Sequence, residues 1–162
     1  MELETDIEEP WSAGEWETLA ERAAVAAAEV APELANPRLS ASLLFTSDVE
    51  IHALNREWRQ RDKATNVLSF PMLSREELLG LPKQGPPELL GDVVLAYETC
   101  AREAGEKGVP LADHAAHLIV HGLLHLAGHD HEISPADADT MEALETKALA
   151  LMGVADPYGG AS

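Results

Sequence analysis

The run His117-Leu118-Ile119-Val120-His121-Gly122-Leu123-Leu124-His125-Leu126-Ala127-Gly128-His129-Asp130-His131 decides how this chain is read. Apolar residues surround four histidines spaced four apart, His117, His121, His125 and His129. Side chains four apart on a helix leave the same face about one turn from each other. His121 and His125 are therefore placed to share one tetrahedral ion. Gly128 lies seven residues after His121, and glycine tolerates the left-handed conformation that ends a helix. A chain that turns there brings His131 back toward the same ion. His129, one residue past the break, is expected to point away. A solvated histidine stripe is the competing reading, but the flanking Leu and Val residues do not suit a solvent face. His117 is expected to support the site or the fold, His114 to lie at the surface, and His52 to sit on a helix face.

Ligand positions at 0, 4 and 10 with glycine at 7 reproduce the H-E-x-x-H-x-x-G-x-x-H spacing of metzincin proteases. The expectation is a zincin-like metal-binding helix in the C-terminal half. Where those proteases carry their general-base glutamate, this chain has Gly122. The metal frame is present without the peptidase's base, so a metallopeptidase reading is weak. Three histidines leave a fourth position for water, which is the catalytic pattern for zinc rather than the structural one. A zinc ion lowers the pKa of bound water to about 7. One Zn²⁺ per chain, used in hydrolysis, is the chemistry expected.

Outward from this run, Pro110 opens the histidine helix at Leu111, and Gly128 closes it just past Ala127. A last helix starts near Ser134-Pro135 and runs to about Met152. Upstream, Trp16, Leu19, Ala23 and Ala26 recur at helical spacing from Glu15 to about Val30. Arg38 to Thr46 alternates as a strand, and Ser47 or Asp48 caps a short helix from Val49 to about Trp58. Asn66 to Phe70 reads as a strand halted by Pro71, Leu89 to Ala96 as another, and Tyr97 to Lys107 as a helix. Met1 to Glu9 alternates weakly, as an edge strand would. Leu73 to Pro87, with Gly80, Pro82, Gly85, Pro86 and Pro87, predicts a mobile surface loop. Strands mixed with helices, without a strict βαβ rhythm, predict an α+β fold with a small mixed sheet.

At 162 residues the chain fits a single domain, 1–162, with room for one core. There is no basic-then-apolar leader and no apolar run of about 20 residues. A cytoplasmic location with no membrane partner is expected. The lone Cys100 excludes an intrachain disulfide and reads as a small buried hydrophobe. The net charge of −18 argues against a polyanionic partner, since phosphate binding usually leaves a basic footprint. The average hides a patch, however. Arg56, Arg59, Arg61 and Lys63 place four of the eleven basic residues within eight positions, while the first 21 positions hold eight acidic ones.

The histidine run resembles the signature of the YbeY family of bacterial rRNA maturation factors. Leu54-Asn55-Arg56-Glu57-Trp58-Arg59 with Asp62-Lys63-Ala64-Thr65-Asn66-Val67-Leu68-Ser69-Phe70-Pro71 is similar to a second block of that family, and Leu90-Gly91-Asp92-Val93-Val94 to a third. The resemblance implies a single-strand-specific endoribonuclease acting in 16S rRNA 3′-end maturation and ribosome quality control. It implies metal ligands at His121, His125 and His131 and the family's functional arginine at Arg59. Arg56, Arg61 and Lys63 are candidate RNA contacts; the competing reading makes each a surface charge paired with a carboxylate such as Glu57 or Asp62. Implied partners are single-stranded rRNA, the small ribosomal subunit or its proteins, and an Era-type assembly GTPase. The alternative function is a ribosome-assembly binding factor whose zinc is mainly structural.

Overall fold

Period-two alternation builds the sheet. In the computed structural model, which describes residues 1–12, 15–129 and 134–158, strand β1 is Glu2–Ile7, β2 is Leu39–Thr46, β3 is Val67–Pro71 and β4 is Glu88–Ala96. The order across the sheet is β1-β2-β4-β3. The first three of these are mutually parallel and β3 runs antiparallel to β4, so the sheet is mixed. Along β2, Leu39, Ala41, Leu43 and Phe45 are buried while Ser40, Ser42 and Leu44 are only half-buried. One face therefore carries the main core.

Among the described residues six α-helices complete the fold: α1 Glu15–Val30, α2 Asp48–Arg59, α3 Arg75–Leu79, α4 Tyr97–Lys107, α5 Leu111–Leu126 and α6 Pro135–Leu151. The described part is α+β, as the element pattern predicts. Helix α5 touches α1, α4, α6, β3 and β4. Enclosed on so many sides, it is buried along most of its length, with its histidines gathered on one flank. Ile119, Leu123, Leu124 and Leu126 on it are fully buried, each contributing about 1.5–3 kcal/mol relative to exposure. Helix α1 packs against it, and Ala20, Ala23 and Ala27 of α1 are inaccessible within the same core.

Helix α2 packs on the opposite sheet face, where Ile51, Leu68, Val94 and Ala96 form a second, smaller core. Ser47 caps it by accepting from the Glu50 amide at 3.3 Å. Its start is also tied to the start of α4. Asp48 accepts from the Thr99 amide and hydroxyl at 3.0 and 2.8 Å, while Glu98 accepts from the Asp48 amide at 2.9 Å. Two helix N-termini thus supply each other's missing acceptors.

Two expectations are corrected. The stretch Leu73 to Pro87, expected to be a mobile surface loop, contains the short helix α3. Ser74 and Glu77 form a reciprocal capping box there, a signal that the Gly/Pro content of the stretch obscures. Its far end is pinned by Arg38, which donates to the Pro86 and Pro82 carbonyls at 2.9 and 3.1 Å. His114 is not at the surface either. It is buried, with Nε2 at 2.9 Å from Glu103 Oε1, because α4 covers that side of α5.

Candidate functional site

Helix α5 delivers His121 and His125, and its end is built to turn sharply. The Gly128 amide donates to the His125 carbonyl at 2.9 Å and the His129 amide to the Leu124 carbonyl at 3.1 Å. That pair of bonds is a Schellman closure, and it needs the positive φ of 93° at Gly128. Arg75 of α3 completes the end. Its Nη1 donates to the Ala127 carbonyl at 2.7 Å, setting a cation against the negative pole of the helix. Arg75 also lies over Gly128, where a Cβ would meet its side chain at 2.5 Å.

The His121 and His125 rings lie 5.1 Å apart between centroids, inclined at 60°, and both line one open cleft of about 460 Å³. Two imidazoles one turn apart on a shared wall fit two ligands of a tetrahedral ion. The expected third ligand, His131, lies outside the described residues. Among the described residues, no group of three or more His, Cys, Asp or Glu side chains stands ready to hold a metal. His129 sits toward α3 and the segment before β2, 3.5 Å from Arg75 Nη1 and 3.9 Å from Glu33 Oε1.

Behind His121 stands a carboxylate that periodicity alone does not flag as functional. Glu145 of α6 is only 1% exposed. Its Oε1 accepts from His117 Nε2 at 2.7 Å and from the Tyr158 hydroxyl at 2.8 Å, and its Oε2 faces His121 Nδ1 at 3.2 Å. Burial pushes the Glu145 carboxyl upward, but the bonds from His117, His121 and Tyr158 outweigh it and hold the group at about 2. The signal was an acid on an apolar stripe: Met141, Glu145, Ala148 and Leu149 are the buried positions of α6.

The opposite wall of the cleft comes from the end of α2 and the run into β3. Gln60 takes a left-handed φ of 57° and ends α2, after which Arg61 returns its amide to the Asn55 carbonyl at 3.1 Å. The buried Asn55 side chain donates to the Lys63 carbonyl at 3.0 Å. These ties hold Arg59, Arg61 and Lys63 on the cleft that His121 and His125 line. Among the described residues none of the three cations is within ion-pair distance of a carboxylate, whereas Arg56 lies outside the lining and faces Asp62 at 3.9 Å. Asp62 also meets His52 Nε2 at 2.7 Å, and that bond is the main reason its carboxyl is lowered.

Asn66, also on the cleft, is braced from behind. It donates to Glu103 Oε1 at 2.9 Å, the same oxygen that meets His114. Burial holds His114 below the ordinary imidazole range despite that bond. A neutral His114 donating to an ionised Glu103 satisfies both groups. Cys100 beside them is inaccessible, and burial pushes its thiol up to about 12. It is an inert core residue.

Gly122, where a metzincin would have its glutamate, is a packing position. A Cβ there would lie 2.7 Å from Val93 Cγ1, so any side chain would collide with β4. Among the described residues, no carboxylate lines the cleft.

Comparison with known proteins agrees with this architecture. The sequence profile described as Endoribonuclease YbeY matches residues 4–153. The chain is 64% identical over 159 residues to a protein named Endoribonuclease YbeY from Erythrobacter litoralis (strain HTCC2594), covering 98% of each chain. It is 60% identical over 158 residues to the protein of the same name from Novosphingobium aromaticivorans, covering 96% of this chain and 95% of the relative. A solution structure of a Thermotoga maritima protein superposes with a TM-score of 0.61 at 23% identity, over 92% of this chain and 87% of that one, and so shares the fold. No helix among the described residues is long and apolar enough to cross a membrane.

Proposed function

The chain belongs to the YbeY endoribonuclease family, and from that premise we propose that it hydrolyses single-stranded RNA in the cleft between α5 and the α2–β3 connection. Its role would be in 16S rRNA 3′-end maturation and ribosome quality control in the cytoplasm. Partners would be the small subunit or its proteins and an Era-type assembly GTPase. The observation that supports the reading best is the shared cleft: Arg59, Arg61 and Lys63, unpaired among the described residues, line the same space as His121 and His125. On a chain of net charge −18, uncommitted cations gathered in one place favour a polyanion there and not elsewhere.

His121, His125 and His131 would hold one zinc-type ion. When bound, such an ion supplies Lewis acidity toward a phosphoryl oxygen or water. The remaining work falls to side chains of the cleft. Arg59 pairs its planar guanidinium bidentately with phosphate oxygens and offsets the charge that grows on them during displacement. Arg61 and Lys63 draw the neighbouring backbone phosphates along the wall. The α5 wall, closed at Gly122 by Val93, has no room for a peptidase's base.

The alternative is a ribosome-assembly binding factor whose ion is mainly structural. It draws on the lack of a carboxylate among the described lining residues, which leaves no evident general base. Purified protein free of contaminating nucleases distinguishes the two on a single-stranded RNA. Loss of cleavage in both His121→Ala and Arg59→Ala is expected; cleavage as fast as the parent's in both would remove the enzyme reading.

A further inference from the structure

Glu145 lies beneath the histidine pair without touching the cleft, and the atoms around it constrain where protons sit. An ionised carboxylate only accepts hydrogen bonds. The ring nitrogens facing it must therefore carry hydrogen: Nε2 of His117, at 2.7 Å from Oε1, and Nδ1 of His121, at 3.2 Å from Oε2. In a neutral imidazole only one nitrogen is protonated, so the lone pair of His121 is placed on Nε2. Three donors share the two oxygens, because the Tyr158 hydroxyl also donates to Oε1 at 2.8 Å. The carboxylate is locked in rotation as well as in charge. Its site is closed to bulk solvent, at 1% exposure. Among the described residues the buried His117 Nδ1 has no hydrogen-bond partner, as expected if that nitrogen is the unprotonated one and Nε2 carries the hydrogen.

We infer that Glu145 is a positioning residue of the metal centre: it fixes the tautomer and ring orientation of His121 so that Nε2 is offered to a cation, with His117 and Tyr158 holding Glu145 in place. Burying a carboxylate on an apolar helix stripe costs free energy; three hydrogen bonds repay it, and the return is a preset ligand. Carboxylates that accept from a metal-bound imidazole typically alter affinity by about 10–100-fold when removed. The inference rests on the proposal that His121 is a metal ligand.

Glu145→Gln keeps the shape and removes the charge. Its carbonyl oxygen is best used on the side of two donors, His117 and Tyr158. That choice turns the amide NH₂ toward His121 and drives the His121 hydrogen from Nδ1 to Nε2. Two readouts separate this role from a merely structural one. The first is Zn²⁺ affinity of the metal-stripped parent and variant, measured by competition with a chromophoric chelator. The second is the His121 tautomer in ¹⁵N-resolved NMR, read on the parent as well. Expected are an affinity about 10–100-fold lower in Glu145→Gln, an unchanged far-ultraviolet dichroism spectrum, and the His121 hydrogen on Nδ1 in the parent. Equal affinities, or a parent His121 protonated only at Nε2, would overturn the inference while leaving the cation site standing. A parent that takes up no Zn²⁺ overturns both. If Glu145→Gln does not fold, the parent tautomer alone decides.

Discussion

Val93 Cγ1 of β4 stands 2.7 Å from the point where a Cβ on Gly122 of α5 would lie. The metal-frame helix is seated against the sheet at the position where its sequence departs from the protease pattern. Adding even one methyl forces the helix outward or the valine off its rotamer, which typically costs about 1–3 kcal/mol in a packed core. Gly122→Ala should therefore lower the unfolding free energy read from urea titration by that amount, and Gly122→Glu by more, without conferring peptide hydrolysis. A Gly122→Ala protein as stable as the parent would mean that α5 and β4 are not in contact there.

Arg59 and Arg56 lie three residues apart on one helix, yet only Arg59 lines the cleft. Arg59→Lys keeps the charge and loses the planar fork, and is expected to slow RNA cleavage about 100-fold, as when one oriented donor is removed from a transition state. Arg56→Ala should stay within about twofold of the parent, since it breaks only an exposed ion pair with Asp62. Initial rates on a labelled single-stranded RNA test both. Equal losses in the two variants would point to a diffuse charge effect.

Acid should destabilise the fold through His114. Burial, opposed by the Glu103 hydrogen bond, holds its folded pKa below the ordinary value. Below about pH 6.5 the unfolded chain takes up a proton that folded His114 refuses, so the unfolded state binds more protons and stability falls as pH drops. Above that pH the contribution vanishes, because both states are neutral. His114→Gln, which keeps a donor for Glu103, should show a flatter dependence of the urea midpoint between about pH 6.5 and 5. An unchanged slope would place the titrating group elsewhere.

Local signals carried much of this molecule. The limits of α1 and α4 agree with the helical periodicity and stop signals, and Gly128 was legible as the end of the histidine helix because helix closure is settled within a few residues. The helix inside 73–87 is also locally encoded, in Ser74 and Glu77, but the prolines and glycines around it dominate the local pattern. The burial of His114 is not encoded locally: whether a polar residue is buried depends on what covers it, here α4 and Glu103.

Chain spacing by itself determined that His121 and His125 share a helix face and that the basic run from Arg56 to Lys63 is a patch against an acidic background. It could do so because both facts follow from the pitch of a helix or the count of charges over a few residues. Only the tertiary structure decided that Arg59, Arg61 and Lys63 open onto the histidines' cleft while Arg56 does not, that Val93 excludes any side chain at Gly122, and that Glu145 and Tyr158 close behind His121 and His117. Those meetings join residues 13 to 66 positions apart, from Tyr158–Glu145 to Arg59–His125. Their distances are set by how sheet and helices pack, which no short stretch of the chain encodes.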